Sequence, residues 1–205
     1  MPRLVVAHDV ICPWCWVGRI QAKRLLIEFP SLELVWKGYE LLPEGMLYTP
    51  AAADPLETKK PKTPTRFELL LAADGLVLPE RTIPRSISRL ALEGSEFALT
   101  AGKQEKYLDE LYLAYWEGSK DIANIAVLIE VAEQTGLDIA QFALALDKRT
   151  FRDTVIEYDE PAHAAGIWNV PTFMFPEAWV AEQPYKVLRD MTERFVQNSE
   201  NTPSD

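Results

Sequence analysis

The sequence predicts an α/β fold, because it opens on a strand, helix, strand pattern and returns to strand patterns after a long helical block. Leu4 to Ala7 is continuously apolar, as expected of a buried strand. Pro13 to Phe29 carries apolar residues at helical spacing, and Leu32 to Tyr39 partly alternates between apolar and polar residues. We expect these elements to form a βαβ unit with two parallel strands and a right-handed crossover.

The middle of the chain is predicted to be helical after a long connecting loop. Prolines recur through residues 43–64, which disfavours a regular element there. Thr63 or Thr65 can cap the first helix, and Gly136 is a typical left-handed C-terminal residue. By apolar spacing, the helices cover about 65–75, 87–98, 108–115, 125–136 and 139–146. The aromatic stripe in the third helix is interpreted as packing core, with some rings facing the cysteine pair at residues 12 and 15; its members are Tyr107, Tyr112, Tyr115 and Trp116.

The last part of the chain returns to strand patterns. A proline is tolerated at the first position of a strand, so Pro171 is compatible with the strand pattern around it. The remaining predicted elements are helices over 150–158 and 162–166 separated by Pro161, strands over 170–175 and 179–181, a closing helix over 183–195, and a frayed polar tail over 197–205.

Composition describes an ordinary soluble protein. The 205 residues, 48% of them hydrophobic, are enough for one large domain or for a domain with an inserted subdomain. The net charge of −10 argues against a nucleic-acid partner, which would favour a basic surface. The apolar stretch at the start is too short for a signal peptide or a membrane span. We therefore expect a cytoplasmic protein with no membrane partner.

The two cysteines of the chain form one motif, Cys12-Pro13-Trp14-Cys15, directly after the first predicted strand. Thiols at this spacing can form a disulfide bridge, and a proline fits the first helical turn because no amide donor is needed there. Cys12 then lies at the positive end of the helix, where the thiolate is favoured. The motif predicts a redox dithiol in which Cys12 is the nucleophile and Cys15 resolves the mixed disulfide.

Two other roles for the cysteine pair are less compatible with the sequence. A structural zinc site needs four ligands, and the chain adds only His8 and His163, which are far apart in sequence. A purely structural disulfide would close too short a loop to restrict the unfolded chain. We expect no metal and no tightly bound cofactor. Both histidines are interpreted as structural, and Asp9 either caps a turn or accepts a proton during resolution.

Four segments together resemble the DsbA-like thioredoxin superfamily, specifically its FrnE-like branch. They are the cysteine motif, the helical-block segments Ser88 to Glu93 and Ala114 to Gly118, and Val170-Pro171-Thr172-Phe173 near the end. The resemblance extends over nearly the whole chain. It implies a thioredoxin-like domain made of residues 1–62 and 150–196, with an all-helical domain inserted at 63–149 and a flexible tail at 197–205.

The resemblance also implies which residues bind substrate. Pro171 would follow a cis peptide bond and face the dithiol, and the backbone of Val170 would pair with an extended substrate segment. Pro13 and Trp14 would complete the substrate-binding surface. Trp14 departs from the histidine of the strongly oxidising family members, so the couple is expected to be less oxidising. The region 176–183 also lacks the glycine-bearing turn of the branch.

The expected function is thiol–disulfide exchange on protein or small-molecule disulfides, with glutathione as a candidate co-substrate. Related chains of the same fold carry serine where this chain has Cys12 and bind glutathione for isomerase or transferase reactions. That glutathione-dependent activity is therefore one alternative. A non-enzymatic redox sensor or holdase is another, and catalytic turnover would separate it from an enzyme.

Overall fold

The computed structural model describes residues 1–43, 63–82, 86–157 and 160–201, and the strands among them form one mixed sheet. The strands are β1 (Arg3–His8), β2 (Glu33–Glu40), β3 (Ile156–Glu157), β4 (Thr172–Met174) and β5 (Trp179–Ala181), in the order β3-β2-β1-β4-β5. β1 and β2 are parallel, with Val6 opposite Trp36. β4 is antiparallel to β1 and to β5. The structure confirms the predicted βαβ unit and the hairpin near the end.

Helices pack against the sheet, and most of those in the described residues lie between β2 and β3 in the chain. They are α1 (Pro13–Glu28), α2 (Arg66–Asp74), α3 (Arg89–Thr100), α4 (Gln104–Tyr112), α5 (Ile125–Thr135), α6 (Ile139–Asp147), α7 (Glu160–Ala164) and α8 (Tyr185–Asn201), with a π-helical turn at Leu113–Glu117 and a 3₁₀ turn at Arg152–Thr154. Thr65 and Glu68 form a reciprocal capping box at the start of α2. Gly75 and Gly136 end their helices in the left-handed conformation.

Three predictions for the second half of the chain were wrong. The helix expected over 150–158 is replaced by the 3₁₀ turn and by β3, which pairs with β2 through Tyr39 and Ile156. Pro161 does not break a helix but lies in the first turn of α7, where its missing amide costs nothing. α8 continues to Asn201, so part of the predicted tail is helical. The predicted loop falls mostly on residues 44–62, which lie outside the described residues.

The helical block packs directly against the sheet. A β-carbon on Gly38 in β2 would lie 3.1 Å from Cβ of Leu92 in α3, so the glycine allows α3 to approach the strand. The buried guanidinium of Arg89 in α3 pairs with Glu40 at the end of β2, at 2.6 Å. A buried pair of this kind fixes the docking of the two elements, because removal of one partner leaves an uncompensated charge. Among the described residues, no helix combines the length and apolarity needed to cross a bilayer.

Candidate active site

The two cysteines lie at the junction of β1 and α1. Residues 9–12 form a turn in which the amide of Cys12 donates to the carbonyl of Asp9 at 3.2 Å. Cys12 is the N-cap residue of α1 and Pro13 is the first helical residue, as the sequence predicts. Both thiols are free; Cys12 is 5% exposed, whereas Cys15 is fully buried. Cys12 is therefore the more accessible sulfur and lies at the positive end of the helix.

Cys15 lies one helical turn inside and is held in the thiol form. The backbone amide of Asp9 donates to its sulfur at 3.5 Å. Burial raises the pKa of Cys15 well above its usual value, and the hydrogen bond and negative charge of Cys12 raise it further. At neutral pH Cys15 therefore holds its proton, which suits a thiol that acts second.

The segment before β4 faces the dithiol. The thiol of Cys12 donates to the carbonyl of Val170 at 3.4 Å, although the two residues are 158 positions apart. The Val170–Pro171 peptide bond is cis. The Thr172 hydroxyl donates to the carbonyl of Asn169 at 2.5 Å and so bridges this segment. The structure thus brings the cysteine motif and the Val170–Pro171 segment, which the sequence predicts to form one site, into contact.

Gly18 is a site residue that sequence analysis missed. A β-carbon at this position would lie 3.1 Å from Cβ of Pro171 and only 2.7 Å from its Cγ, and the second distance is closer than nonbonded carbons approach. Because Gly18 has no side chain, the Val170–Pro171 segment can pack closely against α1 near the dithiol. A glycine inside a helical pattern indicates a close approach but not which residue approaches.

Trp14 lies against the start of α2. Its ring centroid is 4.8 Å from that of Phe67, and the guanidinium of Arg66 lies 5.7 Å from the ring. Arg66 also pairs with Glu182, after β5, at 3.1 Å. Trp14, the residue before Cys15, is thus bordered by the start of α2 on one side of the dithiol.

Asp9 is fully buried beneath the dithiol turn, and its carboxylate joins three elements. It accepts from the amide of Leu41 at 2.7 Å, from the hydroxyl of Ser88 at 3.0 Å, and from the amide of Ile11 at 3.2 Å. Burial raises the pKa of Asp9 to about 6, although these hydrogen bonds oppose the shift. The bond to Ile11 is the predicted turn cap. The acid lies close enough for its charge to raise the pKa of Cys15.

The two histidines occupy different environments. Nδ1 of His8 lies 3.1 Å from the hydroxyl of Tyr112, and burial lowers the pKa of His8 to about 3, so the ring is neutral at physiological pH. His163 stacks on the ring of Trp168, with 4.7 Å between centroids. Trp168 is 67% exposed and lies two residues before Val170.

A groove of about 370 Å³ borders the dithiol beside Pro13, and its lining includes Ile11, Leu78, Tyr115 and Trp116. Neither cysteine lines the groove, but Ile11 and Pro13 flank Cys12 in the sequence, so the groove can hold part of a substrate. Within residues 1–43, 63–82, 86–157 and 160–201, no group of three or more metal-ligating side chains is placed to hold an ion.

Comparison with known proteins gives the same architecture. The chain is 27% identical over 200 residues to the uncharacterized protein YwbO of Bacillus subtilis, with 97% of each chain covered. Its fold is similar to a probable DsbA oxidoreductase from Streptomyces coelicolor, with a TM-score of 0.73, 23% identity, and coverage of 99% of this chain and 92% of that one.

A second solved structure is the cytosolic disulfide reductase DsbM of Pseudomonas aeruginosa with GSH. Its TM-score is 0.64 at 16% identity, and the match covers 98% of this chain and all of that one. The family model described as the DSBA-like thioredoxin domain matches residues 3–191. With a five-stranded mixed sheet and a dithiol at the start of α1, the chain belongs to the DSBA-like thioredoxin domain family.

Proposed function

We propose that this protein is a thiol–disulfide oxidoreductase that cycles Cys12 and Cys15 between the dithiol and the disulfide. The observation that carries the proposal is the position of Cys12: it caps α1, is the more exposed sulfur, and contacts the carbonyl of Val170. Cys15 is buried one turn behind it, within the same motif. This division between a more accessible attacking sulfur and a fully buried resolving sulfur is what disulfide exchange requires.

The reaction proceeds in two exchanges. The Cys12 thiolate attacks one sulfur of a substrate disulfide, a bond forms between the two sulfurs, and the other substrate sulfur leaves as a thiolate. Cys15 then loses its proton and attacks Sγ of Cys12, which releases the second substrate thiolate and forms the Cys12–Cys15 disulfide. Two electrons and two protons pass from the protein to the substrate. The reverse sequence oxidises a substrate dithiol.

We assign substrate binding to Pro13, Trp14, Val170 and Pro171. The carbonyl of Val170 accepts from the Cys12 thiol at 3.4 Å, so backbone of a substrate entering at this sulfur passes along Val170. Main-chain pairing of this kind accepts many sequences, because it uses no side chain of the substrate. Trp14 and the groove beside Pro13 provide apolar contact on the side of the helical block.

Glutathione is the small-molecule partner that we propose. The DsbM structure of the same fold was solved with GSH, which supports a glutathione site on this fold. Two molecules of glutathione reduce the Cys12–Cys15 disulfide and are themselves oxidised to glutathione disulfide. This step regenerates the Cys12 and Cys15 thiols with a low-molecular-weight thiol as the reductant.

The test is turnover of insulin disulfides with reduced glutathione as electron donor. The wild type should reduce many equivalents of insulin, whereas Cys12→Ser should not exceed the rate of glutathione alone. Ser199→Ala, at the end of α8, serves as a matched control that leaves both thiols intact. A single stoichiometric oxidation without turnover would indicate a redox sensor and contradict the proposal.

A further inference from the structure

The π-helical turn Leu113–Glu117 borders the dithiol turn; Tyr115 and Trp116 in it line the groove beside Pro13, but the exchange steps described above use no hydrogen bond from it. In it, the amide of Gly118 donates to the carbonyl of Leu113, five residues earlier, at 2.9 Å. The Tyr115 carbonyl, in the last turn of this helix, accepts from the guanidinium of Arg81. π-helical turns within α-helices occur frequently at functional sites, so this turn warrants a functional explanation.

Trp116, in this turn, is hydrogen bonded to the backbone just before the cysteine motif. Its indole N–H donates to the carbonyl of Val10 at 2.9 Å, in a contact that is buried on both sides. Tyr112, one turn earlier, donates more weakly to the carbonyl of Asp9 at 3.4 Å. The helical block therefore holds two consecutive carbonyls of the dithiol turn by side-chain bonds.

The direction of these carbonyls affects Cys12. A carbonyl oxygen is the negative end of a peptide dipole, and its effect on a thiolate is strong where little water is present. The bond to Trp116 directs the Val10 oxygen toward the indole. Without that donor, the oxygen must turn to another group or remain unsatisfied in the interior.

We propose that Trp116 is a positioning residue for thiol–disulfide exchange: its indole N–H fixes the Val10 carbonyl and thereby the turn that presents Cys12 to substrate. The inference rests on the proposed function. The same side chain lines the groove beside Pro13, so Trp116 connects the shape of that groove to the position of the reacting sulfur.

Replacement of the indole by a phenyl ring adds no charge and removes none. The titratable and charged groups that face this region are Asp9 and His8 beside the turn, Tyr112 in α4, with Arg19 acting on Tyr112 from α1, and Arg81, whose guanidinium lies 5.8 Å from the Trp116 ring. Cys15 is replaced by serine in the test below. The segment from Val170 to Thr172, on the β4 side, carries no titratable side chain. A change in pH dependence after removal of the indole N–H therefore reports on the carbonyl and not on a lost charge.

The test compares Trp116→Phe with the parent protein in a Cys15→Ser background, so that Cys12 is the sole thiol. Phenylalanine keeps an aromatic ring and removes the donor. The rate of Cys12 alkylation by iodoacetamide is measured as a function of pH, and its midpoint should rise. At about pH 7 the rate should fall roughly two- to tenfold, the range expected for one hydrogen bond.

The matched control is Trp36→Phe, which removes another buried indole N–H, donated to Glu105 at 2.6 Å. It should leave the pH profile unchanged. An unchanged profile in Trp116→Phe would overturn the proposal, as would a uniform fall at every pH or an equal shift in the control. If Trp116→Phe does not fold, benzothienylalanine at position 116, which replaces the N–H by sulfur, gives the same comparison. Alkylation needs no disulfide substrate, so a failed insulin assay would count against the proposed function alone.

Discussion

Gly18 and Pro171 are in such close approach that a single added methyl group at Gly18 would collide with the proline ring. The distance from an added β-carbon to Cγ of Pro171 would be 2.7 Å. Gly18 lies in the middle of α1, and Pro171 immediately precedes β4. The spacing between the dithiol helix and the segment that contacts Cys12 therefore depends on the absence of one side chain.

Gly18→Ala should displace the Val170–Pro171 segment from α1. Overpacking of this kind usually lowers the free energy of unfolding by about 1–3 kcal/mol. Insulin turnover should fall further than stability alone explains, because the contact between Cys12 and Val170 is lost. Urea unfolding and the insulin assay measure the two effects separately.

Gly102→Ala is the matched control. No atom lies within 4 Å of an added β-carbon there, but the φ of +65° makes a side chain strained. The variant should lose about 1–2 kcal/mol of stability and keep its turnover. Equal turnover in the two variants would show that the packing of Gly18 against Pro171 is not needed for the reaction.

The buried carboxyl of Asp9 should give stability a specific pH dependence. Its pKa rises from 3.8 to about 6 on folding, chiefly through burial, so the folded protein disfavours the charged form. Folding therefore favours the protonated carboxyl, and the free energy of unfolding gains its full contribution from Asp9 below about pH 4. This contribution is lost as the pH rises through about 6. The loss amounts to about 3 kcal/mol.

Asp9→Asn should remove this pH dependence. In the wild type both carboxylate oxygens of Asp9 accept hydrogen bonds: one from Ile11, the other from Leu41 and Ser88. An asparagine side chain has only one accepting oxygen, so the variant is less stable overall. Its free energy of unfolding relative to the wild type should nevertheless rise between pH 4 and 7. Urea titrations across that range provide the measurement. A constant difference between the two proteins would show that Asp9 does not titrate there.

The two cysteines should differ sharply when each is replaced by serine. Cys15→Ser keeps the more accessible attacking sulfur and removes the resolving one, so a mixed disulfide with glutathione should accumulate at Cys12. Cys12→Ser leaves only the fully buried thiol, whose raised pKa keeps it protonated, and should form little adduct. Mass spectrometry after incubation with glutathione disulfide counts the adducts. The opposite pattern would reverse the two roles.

Trp14→His should make the couple more oxidising. An imidazole beside the sulfurs can donate a hydrogen bond or carry positive charge, whereas the indole ring packs on Phe67. A tenfold change in the redox equilibrium would raise the reduction potential by roughly 30 mV. Trp14→Phe retains an aromatic contact and should leave the potential near that of the wild type. Equal potentials in all three proteins would contradict the role assigned to this position.

Periodicity and capping residues were enough to predict the βαβ unit and most helices. Thr65, one of the two predicted caps, begins α2, and Gly75 and Gly136 follow the ends of α2 and α5 as predicted, because local backbone chemistry decides where these helices begin and end. β3 was missed because a strand of two residues is too short to show an alternation of apolar and polar side chains. Only its pairing with β2 makes these residues a strand. The sequence also carries no local signal for the bond between Asp9 and Ser88, which are 79 positions apart. Such contacts arise only when the helical block docks on the sheet.

The central claim is that Cys12 and Cys15 form a reversible redox couple. The most direct measurement is an equilibrium titration of the protein in buffers with varied ratios of reduced to oxidised glutathione, followed by acid quenching and intact-mass analysis. We predict a single two-electron transition between the dithiol and a disulfide that peptide mapping assigns to Cys12 and Cys15. A protein that stays reduced throughout, or that gains only stable glutathione adducts, would contradict the account.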